Sequence, residues 1–348
     1  MEWRDALFRR FIRENPGLTV VVASARDRLM VLSEDVSRAV ASAATEGLPL
    51  NQVSFLKSSR LRIGQGAATC GYRDKTYRPL VAGCSTSAVD ANLQPVLHIP
   101  YTCSLGLLYK GVDGAYYAVS ANHCWAGTIC GLGPGKYAVQ PSVFCGGSYP
   151  EDYIGDVVAY TQPVDYMYGL PVYRADAALV RLTEPMYFSQ LALWDLDTYV
   201  TYPPRHISPV IGVSVTKLGV GEYTYSRRSG NVIGYPAAAN IMCPNGNGFI
   251  LDGTALVSAQ VSPGDSGSAM FASNGVLGIT TAATEEGYAL VTPWQEIINE
   301  LNIQLAPSVL AAPTTTTTTT TQAATTTTTT STSNNLLAFA LAFFGTAG

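Results

Sequence analysis

The sequence predicts a mainly β protein of the sandwich or barrel class, with a small α/β module ahead of it and a structureless tract behind. From about residue 95 onward short apolar stretches recur at regular spacing, broken by Gly, Pro, Asn and Asp, among them "SLGLLYK", "AYYAVSA", "AALVRL", "VSVTKLG", "TALVSAQV" and "GVLGITTA". Such spacing marks a run of short antiparallel strands. Alternation inside "TALVS" and "VLGIT" suits strands with one face in a core and one in water. The 20 tyrosines, many set among Val, Thr and Gly, add strand-favouring residues.

The elements follow in order. Residues 3–13 place Trp3, Leu7, Phe8, Phe11 and Ile12 on one helical face among four arginines, and Asn15-Pro16-Gly17 stops the helix. Docking on the body of the same chain is the preferred role for that face over membrane contact. "LTVVVASA" then reads as a strand, Ser33 as the cap of a helix running to about Glu46, and "NQVSFL" as a second strand. Residues 1–77 are thus expected to form a separate α/β module. Residues 78–305 hold the strand-rich region, closed by one helix at 293–303, "PWQEIINELNI". Residues 306–335 form a Thr-rich stalk or linker, and 336–348 a short apolar tail. Threonine runs cannot build a core.

Composition excludes several function classes. Net charge is −4 with 13% charged residues, and no basic block or stripe exists, so nucleic-acid binding is not expected. Seven cysteines lie at 70, 84, 103, 124, 130, 145 and 243, with no CxxC pair and only three histidines in the chain. No metal or cofactor site is expected from that set. Clustering of six cysteines between 70 and 145 points to disulfides, with buried free thiols as the alternative. The compartment signals conflict. "MEWRDALFRRFIREN" lacks a signal-peptide core, which is consistent with the cytoplasm, whereas the Thr-rich stalk favours an extracellular or cell-surface location. The 13-residue tail is short of the roughly 20 residues of a spanning helix, so at most weak membrane association through it is expected.

Three stretches carry candidate chemistry. "SPGDSGSAMF" places Ser266 among the turn formers Pro263, Gly264, Asp265 and Gly267. On its own this reads equally as a tight turn. A base and an orienting acid elsewhere would change the reading. Of the histidines, His206 sits in a proline-rich loop and His98 ahead of the regular strands, whereas His123 ends an apolar strand in "YYAVSANHCWAG". Asp176 precedes the apolar strand in "VYRADAALVRL", where a buried carboxylate needs a hydrogen-bonding partner such as an imidazole.

"VSANHC", "RADAALVRL" and "SPGDSGSAMF" follow one another in the order His, Asp, Ser. In that order, and with "YRPLVAGCS" upstream, residues 78–300 resemble the trypsin/chymotrypsin-like serine proteases, and within them prokaryotic members with an N-terminal extension. The resemblance implies two antiparallel six-stranded β-barrels with the site between them. It implies Ser266 as nucleophile, His123 as general base and acid, and Asp176 as the group that orients the imidazole. Gly264 and Ser266 would supply the two N–H groups of the oxyanion hole. By the same resemblance Gln260 lies at the base of the pocket for the residue preceding the scissile bond, with Thr281 and Ala283 on a wall. An Asp is missing from the basal position, so cleavage after apolar or aromatic residues, or weak selectivity, is expected rather than cleavage after Lys or Arg. Cys103 would pair with Cys124, as in many relatives.

The sequence departs from the family at one place: no Ile-Val-Gly-Gly-like stretch precedes His123 to supply a new N-terminus for Asp265. An internal Arg or backbone donors are the expected substitutes. The predicted activity is serine endopeptidase action on peptide or protein substrates. Two alternatives stand beside it: a non-catalytic, stalked surface-binding protein, and a serine esterase. The order Ser, Asp, His of the α/β-hydrolases is absent.

Overall fold

A computed structural model describes residues 2–61, 63, 70–96, 102–195, 198–202, 205–221 and 227–305. The expectations for His98, the Thr-rich tract and the apolar tail concern residues outside that set. The protein is mainly β, as the alternation predicts, and has the chymotrypsin-like fold. Among the described residues no helix is long and apolar enough to cross a membrane.

The chain starts with helix α1 (Glu2–Glu14), strands β1 (Val20–Ser24) and β2 (Leu29–Ser33), helix α2 (Val36–Thr45) and strand β3 (Val53–Lys57). Leu7, Phe8, Phe11 and Ile12 of α1 are buried against Val20 and Val22 of β1, so the helix docks on its own chain. Trp3, expected on the same face, is instead 48% exposed, in the first turn of the helix. Ser33 does not cap α2. It ends β2, a strand the sequence reading passed over, and the Asp35 carboxylate accepts from Arg38 N instead. Both Ser and Asp are favoured N-cap residues, and the cap falls two residues later than expected.

The first barrel is a seven-stranded sheet built from β4 (Ser85–Val89), β5 (Cys103–Ser104), β6 (Leu107–Lys110), β7 (Tyr116–Ser120), β8 (Tyr137–Val139), β9 (Tyr153–Tyr160) and β12 (Ala178–Leu182), in the order β5-β4-β8-β9-β12-β7-β6. Its core centres on Trp125, Leu105, Leu108 and Val180. Between its last two strands in sequence the chain makes a hairpin, β10 (Asp165–Met167) and β11 (Leu170–Tyr173). A two-stranded ribbon, β13 (Leu191–Asp195) and β14 (Thr198–Thr201), leads to the second barrel.

Six strands form that second barrel: β15 (Ser214–Leu218), β16 (Arg228–Met242), β17 (Gly248–Val257), β18 (Ala269–Ala272), β19 (Gly275–Ala283) and β20 (Ala289–Pro293). They belong to one eleven-stranded sheet, ordered β10-β11-β17-β20-β19-β18-β15-β16-β1-β2-β3. The long β16 makes this extension. Its first part pairs with β15 and its second with β1, through Val21↔Ala239 and two neighbouring pairs. The N-terminal strands therefore continue the sheet of the second barrel. Helix α4 (Trp294–Glu300) follows, shorter than expected at both ends: Pro293 is still in β20, and Asn302 takes φ +50° just past the last turn.

Three disulfides add cross-links: Cys70–Cys145, Cys103–Cys124 and Cys130–Cys243, spanning 75, 21 and 113 residues. The pairing implied for Cys103 and Cys124 is present. Cys130–Cys243 joins the first barrel to the end of β16. Cys84 is a buried free thiol whose desolvation pushes its pKa up to about 12, so it acts as a small apolar group.

Since Leu32 of β2 is fully buried in the cluster that also holds Leu251, Leu256 and Leu290 of the second barrel, Leu32→Ala is expected to cost about 2–5 kcal/mol. The loss should appear as a shift of one cooperative unfolding transition, read by far-UV circular dichroism and tryptophan fluorescence together. A separate early transition in the variant would show that the N-terminal strands fold on their own.

Candidate active site

Strand register brings His123 to Asp176. β12 pairs antiparallel with β7 through Ala178↔Ser120, so the residues just before β12 lie opposite those just after β7. A single helical turn, α3 (Asn122–Trp125), begins there. Asn122 anchors it: its Nδ2 donates to Thr161 O at 2.9 Å, and its Oδ1 accepts from Thr128 Oγ1 and Ile129 N. His123 is fully buried, with Nδ1 2.6 Å from Asp176 Oδ2, and its backbone N–H donates to Asp176 Oδ1 at 3.1 Å. Both carboxylate oxygens of Asp176 thus face the same residue. Behind them the Thr292 hydroxyl accepts from Asp176 N at 3.3 Å and meets the Thr281 hydroxyl at 2.9 Å. His123 Nε2 is buried and has no hydrogen-bond partner among the described residues.

The turn that carries Ser266 is held near the end of β7 by a different route. The turn 262–268 precedes β18 and is tied to β19 by Gly267 N to Thr280 O at 2.8 Å. It is tied to the first barrel by Ser104 N, which donates to Ser266 O at 2.8 Å, and by the Ser104 hydroxyl, which donates to Gly264 O at 2.8 Å. Ser104 follows Cys103, and Cys103 is bonded to Cys124, the neighbour of His123. Ser120, at the end of β7, donates through its hydroxyl to Ser104 O. Two short chains of contacts therefore hold the serine turn against the histidine strand end. Gly264 has φ +97°, and a side chain there would press on Gly221 and Thr102. The N–H groups of Gly264 and Ser266 donate to no acceptor among the described residues.

Asp265 shapes the turn. Its Oδ1 accepts from Gly221 N and its Oδ2 from Ser262 N, both at 2.9 Å. Lys217 Nζ lies 2.5 Å from Oδ2, with both side chains buried. The charge partner is thus an internal lysine; the sequence reading allowed for an internal Arg or backbone donors. Burial pushes the Lys217 ammonium below the usual lysine range, against the opposing pull of Asp265. Lys217 was legible in principle. In "VSVTKL" it shares the inward face of β15 with buried Val215, two residues before it.

Beside Ser266 opens a cavity of about 450 Å³, walled by 260–263 on one side and 280–285 on the other. Gln260, Thr281 and Ala283 all line it, as the resemblance implies for the pocket. Gln260 is exposed, and the Thr281 hydroxyl faces Thr292. Arg60, from the N-terminal segment, also lines it and was not foreseen. His206 sits apart from these groups, in a bridge with Val276. Cys103, His123 and Cys124 lie within 4.8 Å of one another, yet the two sulfurs are bonded to each other and offer no thiolate to a metal.

Comparison with known proteins now decides the family. Residues 112–299, more than half of the chain, match the family described as Trypsin. The chain belongs to the trypsin family. Its chemistry is that of a peptidase, with peptides or proteins as substrates. Solved structures similar to this trypsin-family chain include a Nocardiopsis protease (18% identity, TM-score 0.42), Thermobifida fusca Protease A (19%, 0.44) and a Cellulomonas bogoriensis chymotrypsin (17%, 0.43). Each alignment covers 65% of this chain and 97% of the other. No curated protein matches.

Removing the lysine tests the turn. Lys217→Met leaves the Asp265 charge buried without its counter-ion, which typically costs about 3–5 kcal/mol. If the turn then relaxes, kcat/KM should fall by about 10²–10³-fold, the loss associated with one misplaced oxyanion donor. In the wild type the proton on Lys217 leaves as pH rises through its depressed pKa, so the ion pair and activity fade on the alkaline side, below the ordinary lysine range. Stability moves the other way, because the unfolded chain holds that proton more tightly and the cost of burying the charge is relieved as pH rises. A pH–rate profile flat up to the ordinary lysine range would contradict this.

Proposed function

We propose that this trypsin-family chain is a serine endopeptidase working through Ser266, His123 and Asp176. The 2.6 Å contact of His123 Nδ1 with Asp176 Oδ2 is the observation that carries the reading. With Asp176 as the acceptor, this contact supports the tautomer that carries the proton on Nδ1 and a lone pair on Nε2. Nε2 is buried and has no partner among the described residues, so it is available to the Ser266 hydroxyl. Apo sites often hold this last hydrogen bond long, and it tightens when substrate arrives.

The steps follow from that polarity. Ser266 Oγ attacks the scissile carbonyl carbon while Nε2 takes its proton. The carbonyl π electrons move onto oxygen, and the N–H groups of Gly264 and Ser266 stabilise the charge that develops there. Asp176 stabilises the imidazolium and keeps the tautomer. The imidazolium then gives its proton to the amine as the C–N bond breaks, leaving an acyl-enzyme on Ser266. A water, deprotonated by Nε2, attacks the ester carbon, and Ser266 recovers its proton. Nothing in this sequence needs a metal or a cofactor.

The turn around Asp265 gives further support. A protein that only bound peptides would have no use for two backbone N–H groups left without acceptors beside a nucleophile. Ser266→Ala and His123→Ala are each expected to lower kcat/KM by several orders of magnitude. The double variant should be little worse than either, because the residues act as one unit. Multiplying losses would argue against a shared mechanism. Labelling of the wild type by a fluorophosphonate, with loss of label in Ser266→Ala, reports the nucleophile directly. Comparing peptide with ester turnover separates peptidase from esterase.

A further inference from the structure

The cavity beside Ser266 is not built by the two barrels alone. Residues 58–61 and 63 of the N-terminal segment lie by the loop 284–288, whose Thr284 and Glu285 line the cavity. Three hydrogen bonds fasten the two together. Ser59 N donates to Glu286 Oε1 at 2.6 Å, the Ser59 hydroxyl donates to Glu286 Oε2 at 2.9 Å, and Glu285 N donates to the Ser59 hydroxyl at 2.8 Å. Leu61 and Ile63 anchor the segment from behind. Their main chains pair with Met242, and both side chains are buried with Ala282 and Leu290. Arg60 stands between these anchors and lines the cavity.

The charges at this place are few and can be named. Arg60 Nε donates to Glu34 at 3.1 Å and its Nη2 to Gly17 O at 3.2 Å, while Nη1 has no partner among the described residues. Glu34 is itself held by Thr19, through its backbone N–H and its hydroxyl. Glu286 spends both carboxylate oxygens on Ser59. Asp265 is neutralised by Lys217. Glu285 lines the cavity too, at its exposed rim, where its charge opposes an incoming carboxylate and water weakens that opposition. Ser262, Thr280, Thr281 and Thr284 bring hydroxyl groups to a lining that also holds the apolar Val261, Pro263, Ala282 and Ala283.

We propose that Arg60 is a specificity-determining residue of this site, and that the cavity accepts the carboxylate side chain of Glu or Asp at the position preceding the scissile bond. A guanidinium presents several donors in a fixed plane and pairs well with a carboxylate. Glu34 and Gly17 hold Arg60 in place before substrate arrives, so little entropy is lost when a second carboxylate engages it. The Ser59–Glu286 clamp fixes the wall opposite and keeps one acid away from the incoming group. The N-terminal segment thereby becomes a permanent part of the substrate site. This inference rests on the proposed peptidase activity, and it departs from the apolar preference that the bare pocket sequence suggests.

The test uses the full chain and peptide pairs that differ only in Glu against Gln, or Asp against Asn, before the scissile bond. For the wild type, kcat/KM should favour the acid by at least tenfold, mostly through KM. In Arg60→Gln the ratio should collapse towards one, and in Arg60→Lys it should stay above one. Glu285→Gln, which removes the opposing charge at the rim, should raise the ratio. Because each ratio is measured within one protein, a loss of folding yield in one variant leaves the others decisive. A wild type that cleaves the amide peptides as well as the acids, or an Arg60→Gln profile equal to wild type, overturns the inference while leaving the peptidase reading intact. Failure of the wild type to cleave any peptide or to react with a fluorophosphonate overturns both.

Discussion

The buried ion pair of Lys217 and Asp265 is the constraint around which the rest of the site is arranged. A carboxylate with no exposed surface is tolerable only when its charge and lone pairs are matched. Lys217 matches the charge, and Gly221 N and Ser262 N occupy the lone pairs. Each partner comes from a different part of the second barrel: β15, the stretch after it, and the turn itself. Once these three are bound to one side chain, the path of 262–268 has little freedom left. Gly264 is forced to positive φ, and the N–H groups on either side of Asp265 are left without internal acceptors. A family member that depends on a freed N-terminus makes this match only after cleavage. Lys217 is on β15 from the moment the strand forms, so the turn needs no cleavage to reach this shape.

The same economy applies to the N-terminal segment. Its strands extend the sheet at β16, its helix covers Val20 and Val22, and Cys70–Cys145 ties its end to the first barrel. Cross-linking over 75 residues removes a large part of the unfolded chain's freedom in the loop-entropy picture. A segment held by a sheet, a core and a covalent bond is suited to carry a substrate-contacting group such as Arg60, since position is then shared with the scaffold.

Local signals made the fold and much of the site readable from sequence. Strand periodicity survives in any one short window, so the strand-rich region was legible, as were β1, α2 and β3 of the N-terminal segment, whereas β2 was passed over. The stretches "VSANHC", "RADAALVRL" and "SPGDSGSAMF" are each local, and the register Ala178↔Ser120 brings the first two together. What stayed hidden depends on distant pairing. Nothing near Arg60 in sequence announces a cavity formed by residues 200 positions later, on the order of the longest loops a fold must close. Cys130–Cys243 spans 113 residues, and spacing alone leaves many pairings open for seven cysteines. Lys217 lies between these cases: the alternation points it inward, but only the carboxylate of Asp265, brought next to it by β15–β18 pairing, explains why a lysine belongs there.

The two sides of His123 are prepared in opposite ways. At the acid end nearly every polar group is matched: Asp176 takes two bonds from His123, its own N–H goes to Thr292, and Thr292 meets Thr281. On the side towards Ser266, His123 Nε2 and the N–H groups of Gly264 and Ser266 are left without partners among the described residues. A buried polar group left unmatched, such as His123 Nε2, costs about 1–3 kcal/mol, against about 5–15 kcal/mol for the stability of a typical domain. Such a cluster persists only if its surroundings cannot relax to satisfy it. Here they cannot: Cys103–Cys124 pins the histidine side, Ser104 pins the serine turn by two hydrogen bonds, and the Asp265 ion pair pins it from within. Under the proposed mechanism the group that matches all three at once is a tetrahedral carbon carrying an oxyanion beside a serine oxygen. The stability of the two cores is thus what holds the unmatched donors and acceptor apart until a substrate carbonyl arrives.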